Sequence, residues 1–79
     1  MFYDETIESD AAARLNNLAI LYADKNEFPA AQAAYDEALA LYRRLADVNP
    51  QTYLHYVAGT LHNLAILCSI TWSKNWLKL

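Results

Sequence analysis

The chain has a single glycine, Gly59, two prolines, a single cysteine, and no basic cluster larger than the pair Arg43-Arg44. Each scarcity excludes something. With so few turn-forming residues there is little chemistry for β-hairpins, which rely on glycine and Asn-Gly pairs. Cys68 has no internal disulfide partner, so nothing in the sequence points to an oxidising compartment. Phosphate backbones are gripped by clustered Lys and Arg, whereas nine acids here outweigh six bases for a net charge of −3. Nucleic acid is therefore not an expected partner. The first residues, Met1-Phe2-Tyr3-Asp4-Glu5, are acidic where a secretory signal is basic. The most apolar stretch, Val57 to Trp72, carries His62 and Asn63 and is short for a bilayer span. No membrane role is expected, and cytoplasm is the default location by absence of any export signal.

What is present favours helices. Of the 79 residues, 56% are hydrophobic and 19% charged, which is apolar enough to fold, and much of that content is Ala, Leu and Tyr. A chain of this length makes one small domain, residues 1–79, of modest stability.

Internal self-similarity organises that domain. Leu15-Asn16-Asn17-Leu18-Ala19-Ile20-Leu21 recurs 46 residues later as Leu61-His62-Asn63-Leu64-Ala65-Ile66-Leu67. Only the second position differs. Thr6 pairs with Thr52 and Ala12 with Ala58, while the match fails soon after Leu67.

Periodicity then supplies the elements. Thr6 is placed to cap a helix over about 6–24, with Glu8 and Asp10 near its positive end. Ala11, Leu15, Leu18, Ala19 and Tyr22 form its apolar stripe. Lys25-Asn26 ends it, Asn being suited to a left-handed turn position. Phe28, Ala31, Tyr35, Ala38, Tyr42 and Leu45 make a continuous seam on a second helix, whose start at Glu27 or Phe28 is set by Pro29. Asn49-Pro50 breaks the chain, and Thr52 is placed to cap a third helix to about Thr71. The expected fold is all-α: an antiparallel helical hairpin, a third helix and a short C-terminal tail over 72–79.

At these residues the chain resembles the tetratricopeptide repeat. That family's signature runs W-x2-L-G-x2-Y, then A-x3-F, then P. Here it reads Leu15-x2-Leu18-Ala19-x2-Tyr22, then Ala31-x3-Tyr35, then Pro50. The resemblance covers a first repeat at 6–50 and the first helix of a second at 52–71, about one and a half units. The period of 46 exceeds the usual 34 or so, and the Leu-Asn-Asn-Leu-Ala form looks like the longer repeats of kinesin light chains and bacterial arrays.

The resemblance implies a module for binding another protein or peptide, not an enzyme, on a concave surface formed by the first helix of each hairpin. The implied contact residues are Ala13, Asn16, Asn17, Ile20 and Asp24, matched in the second unit by Gly59, His62, Asn63 and Ile66. An amide such as Asn17 or Asn63 can both donate to and accept from an extended peptide backbone. No Lys or Arg lies on that set, so a carboxylate clamp of the kind some family members use is not expected.

Other candidates read as structural. His55, His62 and Cys68 match no compact metal motif, so no metal or other cofactor is expected, and Cys68 is placed in the core slot equivalent to Tyr22. No phosphate-binding glycine loop or paired nucleophile and base occurs. The tail carries Trp72, Trp76, Leu77 and Leu79, which are costly to leave in water. Three expectations follow for it: folding back over the third helix, a self-association surface for a homo-oligomer, or a truncated or shifted reading frame. Because the third helix lacks its own partner, a self-assembling unit that completes its core by oligomerisation or helix exchange is the alternative to peptide binding.

Overall fold

The computed structural model describes the backbone of residues 5–77 and the side chains of 5–72, in three helices: α1 (Glu5–Asp24), α2 (Phe28–Val48) and α3 (Pro50–Leu77). No strand occurs among the described residues. The all-α hairpin plus third helix is therefore the fold.

The two joints show why the chain turns where it does. After α1, Asn26 adopts φ 62°, the left-handed conformation that Asn tolerates better than most residues. Its N–H donates to the Ala23 carbonyl (3.0 Å) and the Glu27 N–H to the Tyr22 carbonyl (2.8 Å). That pair of bonds is the Schellman pattern, which satisfies carbonyls that a helix end leaves open. Pro29 then sits in the first turn of α2, where its missing N–H costs nothing.

The second joint is a single residue. Asn49 donates its N–H to the Leu45 carbonyl to close α2 (2.8 Å). Its side-chain Oδ1 accepts the Thr52 N–H (3.4 Å), and its carbonyl accepts those of Thr52 (3.3 Å) and Tyr53 (3.2 Å), opening α3. Asn49 thus takes the capping role expected of Thr52, because Pro50 fixes a helical φ one residue later. Thr6 is likewise already helical: α1 begins at Glu5, and Glu5 and Glu8 occupy the first turn.

The central helix supplies most of the core. Ala31, Tyr35, Ala38, Tyr42 and Leu45 of the expected seam are buried, joined by Ala34, Leu39 and Ala46. Towards one end Ala12 of α1 and Tyr53 of α3 pack with Tyr42, Leu45 and Ala46. Towards the other, Ala19 and Leu67 pack with Ala31, Ala34 and Tyr35. Alanines at the α1 contact let the backbones approach closely, and tyrosines fill the space around them.

Against α2, α3 lays down Tyr53, Val57, Leu64 and Leu67, and Thr60 and Thr71 complete the same stripe at alternate spacings of four and three. Tyr56 lies beside this stripe and stacks on Tyr42, ring centres 5.2 Å apart. The helix does not stop near Thr71. It continues to Leu77, since no proline or glycine follows Gly59 to break it, so Trp72 to Leu77 do not fold back over α3. The side chains of Trp76 and Leu77, and Leu79 altogether, lie outside the described residues.

Candidate interaction face

Helical spacing sets Ala13, Asn17, Ile20 and Asp24 in one line along α1, and all four are exposed. On α3, Gly59, His62 and Ile66 are exposed and Asn63 is half-buried. The two isoleucines occupy equivalent repeat positions and are open to the same degree, 45% for Ile20 and 46% for Ile66. Each has an amide three residues before it. Apolar side chains left accessible next to amides give the kind of surface that an extended polypeptide can use, with main-chain hydrogen bonds at the amides and apolar contact at the isoleucines.

Asn16 does not belong to that surface. It is half-buried, and its Nδ2 donates to Thr60 Oγ1 at 3.3 Å, joining α1 to α3. Its Oδ1 is buried and accepts no hydrogen bond among the described residues. The repeat alignment concealed this role: it matches Thr60 to the exposed Arg14, yet Thr60 is buried because α3 turns a different flank inward from the one α1 does. Cys68 departs from expectation in the opposite sense. It is exposed instead of filling the slot equivalent to the half-buried Tyr22, since none of the described helices covers that side of α3.

Two phenols are perturbed behind the face. Burial pushes the Tyr35 hydroxyl above its ordinary 10.0, and the Asp24 carboxylate adds to the effect. Burial also raises Tyr42; the Asn16 amide beside its oxygen favours the phenolate and opposes the shift, while Tyr56 and Tyr53 reinforce it.

Elsewhere among the described residues lie two shallow clefts. One, of about 270 Å³, runs between α1 and α2 and is lined by Leu15, Leu18, Tyr22, Ala30, Ala33, Ala34 and Glu37. The other, of about 210 Å³, is lined by Gln32, Leu67, Cys68, Thr71 and Trp72 near the C-terminal end of α3. Neither includes a residue of the Ile20–Ile66 face. Among the described residues no three His, Cys, Asp or Glu side chains come together as a metal site, and no helix is long and apolar enough to cross a membrane.

The tetratricopeptide repeat family model matches residues 11–50, just over half of the chain. The chain belongs to the tetratricopeptide repeat family, whose members serve as scaffold and interaction modules. No curated protein and no solved structure matches it significantly.

Proposed function

We propose that the chain binds an extended peptide or protein segment across the α1 and α3 face, with Asn17 and Asn63 meeting the ligand backbone and Ile20 and Ile66 meeting its apolar side chains. The observation that carries this reading is the pair of equally exposed isoleucines at equivalent repeat positions. An exposed apolar residue repeated in register on two helices is a surface that water disfavours and a ligand could cover. Ala13, Asp24, His62 and Gly59 border it, and Asp24 is its only charged member. The favoured ligand is therefore apolar and neutral or basic, not a free carboxylate terminus.

Selection of peptides from a random display library against the whole chain, followed by calorimetric titration of the best binder, tests this. Ile20→Asp and Ile66→Asp should each weaken binding at least tenfold with helicity unchanged. Full affinity in both variants would remove the face from consideration.

A further inference from the structure

One flank of α3, beside its contact with α2, carries a second seam. Leu54, Ala58, Leu61, Ala65, Cys68 and Trp72 follow one another at spacings of 4, 3, 4, 3 and 4, all apolar and all exposed. That is the heptad pattern of a helix built to meet another helix. Each seam residue directly follows one of the α2-packed stripe, so this line lies about 100° around the helix from it. It lies on the other flank from Ile66 and is a separate surface from the peptide face.

Charge narrows what can cover it. No Asp, Glu, Lys or Arg occurs between Asp47 and Lys74, whereas α1 carries Glu5, Glu8, Asp10, Arg14 and Asp24, and α2 carries Asp36, Glu37, Arg43, Arg44 and Asp47. An uncharged helix face is matched only by another uncharged face, because a charge pressed against it would be desolvated without a partner. Among the described residues, α3 of a second copy offers such a face along its length. The α2 seam of a second copy is already buried beneath its own α1 and α3.

We propose that two copies pair through this seam, with their α3 helices antiparallel about a two-fold axis near Asn63. Side-chain sizes favour that direction. Antiparallel pairing sets Leu61 against Ala65 and Ala58 against Cys68, so large meets small and small meets small at close approach. It sets Leu54 against Trp72, whose flank holds the 210 Å³ cleft lined by Cys68, Thr71, Leu67 and Gln32. The Leu54 side chain of the second copy fills that cleft. Parallel pairing would stack alanine on alanine and tryptophan on tryptophan, leaving gaps and clashes in alternate layers. The seam from Leu54 to Trp72 is about 27 Å long at the helical rise, and the contact is isologous.

Sedimentation equilibrium of the whole chain tests the pairing. The expected result is a dimer at tens of micromolar, a monomer for Leu61→Asp, and a dimer for Ser69→Asp, which is exposed but off the seam. A wild-type monomer at that concentration overturns the proposal, and so does a Leu61→Asp dimer. A wild-type monomer that takes up a synthetic peptide of residues 27–49 would assign the seam to a helix of α2 type instead.

Direction is read by cross-linking with oxidised glutathione, which also serves if Leu61→Asp fails to fold. In the antiparallel pair the two Cys68 residues stand about 15 Å apart along the axis, beyond disulfide reach, which ends near 7 Å between Cα atoms. Ala58→Cys should therefore cross-link rapidly to the partner's Cys68, and the unsubstituted chain slowly. Rapid cross-linking of the unsubstituted chain overturns the antiparallel arrangement.

Discussion

Helices α1 and α3 share nearly the same seven-residue block, yet they bury opposite parts of it. Ala19, and Ala12 just before the block, are 0% exposed in α1, while their counterparts Ala65 and Ala58 are open to solvent in α3. The leucine that closes the block behaves the other way: Leu21 is 56% exposed and Leu67 4%. One helix offers α2 its Leu15, Ala19 and Tyr22 side, and the other offers α2 its Thr60 and Leu67 side. Each repeat block therefore encodes two contact faces, and the neighbour present decides which is used. The remaining faces are the apolar surfaces left for partners.

Four experiments would break or sharpen that contrast. The largest effect belongs to Ala19→Glu. A carboxylate forced without a partner against Ala31 and Tyr35 costs about 4 kcal/mol or more, enough to unfold a small domain, and circular dichroism should show lost helix. Ala65→Glu, its repeat counterpart, should remain folded in dilute solution with a midpoint in urea close to the unsubstituted chain. Equal loss in both would erase the distinction between the two helices.

Next comes the mirror pair. Leu67→Ala removes a side chain packed on the Ala31 and Tyr35 cluster and should cost about 2–5 kcal/mol, while Leu21→Ala should stay within about 0.5 kcal/mol. Urea denaturation of both variants ranks them, and the order Leu21 above Leu67 would contradict the packing described.

A smaller effect attends the direct polar link between α1 and α3. Asn16→Ala breaks the bond to Thr60 and strands a buried hydroxyl, at about 1 kcal/mol. Amide exchange should quicken around Thr60 and leave the α1–α2 contact protected, whereas Asn17→Ala should change neither.

The smallest effect is a slope against pH. Burial raises the folded-state values of Tyr35 and Tyr42, whereas an unfolded tyrosine titrates near 10. The folded state then holds these protons longer than the unfolded state. The contribution is whole below about pH 10 and is lost as pH rises through the raised folded values. Thermal melts between pH 9 and pH 11.5 should show a steeper decline for the unsubstituted chain than for Tyr35→Phe with Tyr42→Phe. Asp24 reinforces the effect at Tyr35, and its repeat counterpart in α3 is the uncharged Ile70. Asp24→Asn should therefore recover part of the decline.

Much of the fold was legible before any coordinates. The α2 seam from Phe28 to Leu45, the left-handed Asn26 and the break at Asn49-Pro50 each follow from spacing or local backbone chemistry. The helix starts were less legible: Thr6 and Thr52 look like caps, but Glu5 and Pro50 begin their helices earlier. The candidate face was partly legible. Ala13, Asn17, Ile20 and Asp24 are exposed, whereas Asn16, which the resemblance sets beside them, is half-buried and bonded to Thr60.

Local pattern sufficed for whatever depends on neighbours three or four residues away: the helices, their breaks, the α2 seam and the family to which they belong. Burial on α1 and α3 was beyond it, because blocks alike at six of seven positions carry nearly the same local information and differ chiefly in what packs beside them. The tertiary arrangement alone decided that Ala19 is core and Ala65 surface, that Cys68 is open, and that Thr60 is buried and bonded to Asn16. The physical reason is that burial depends on which helix packs alongside, and neither copy of the block specifies its neighbour.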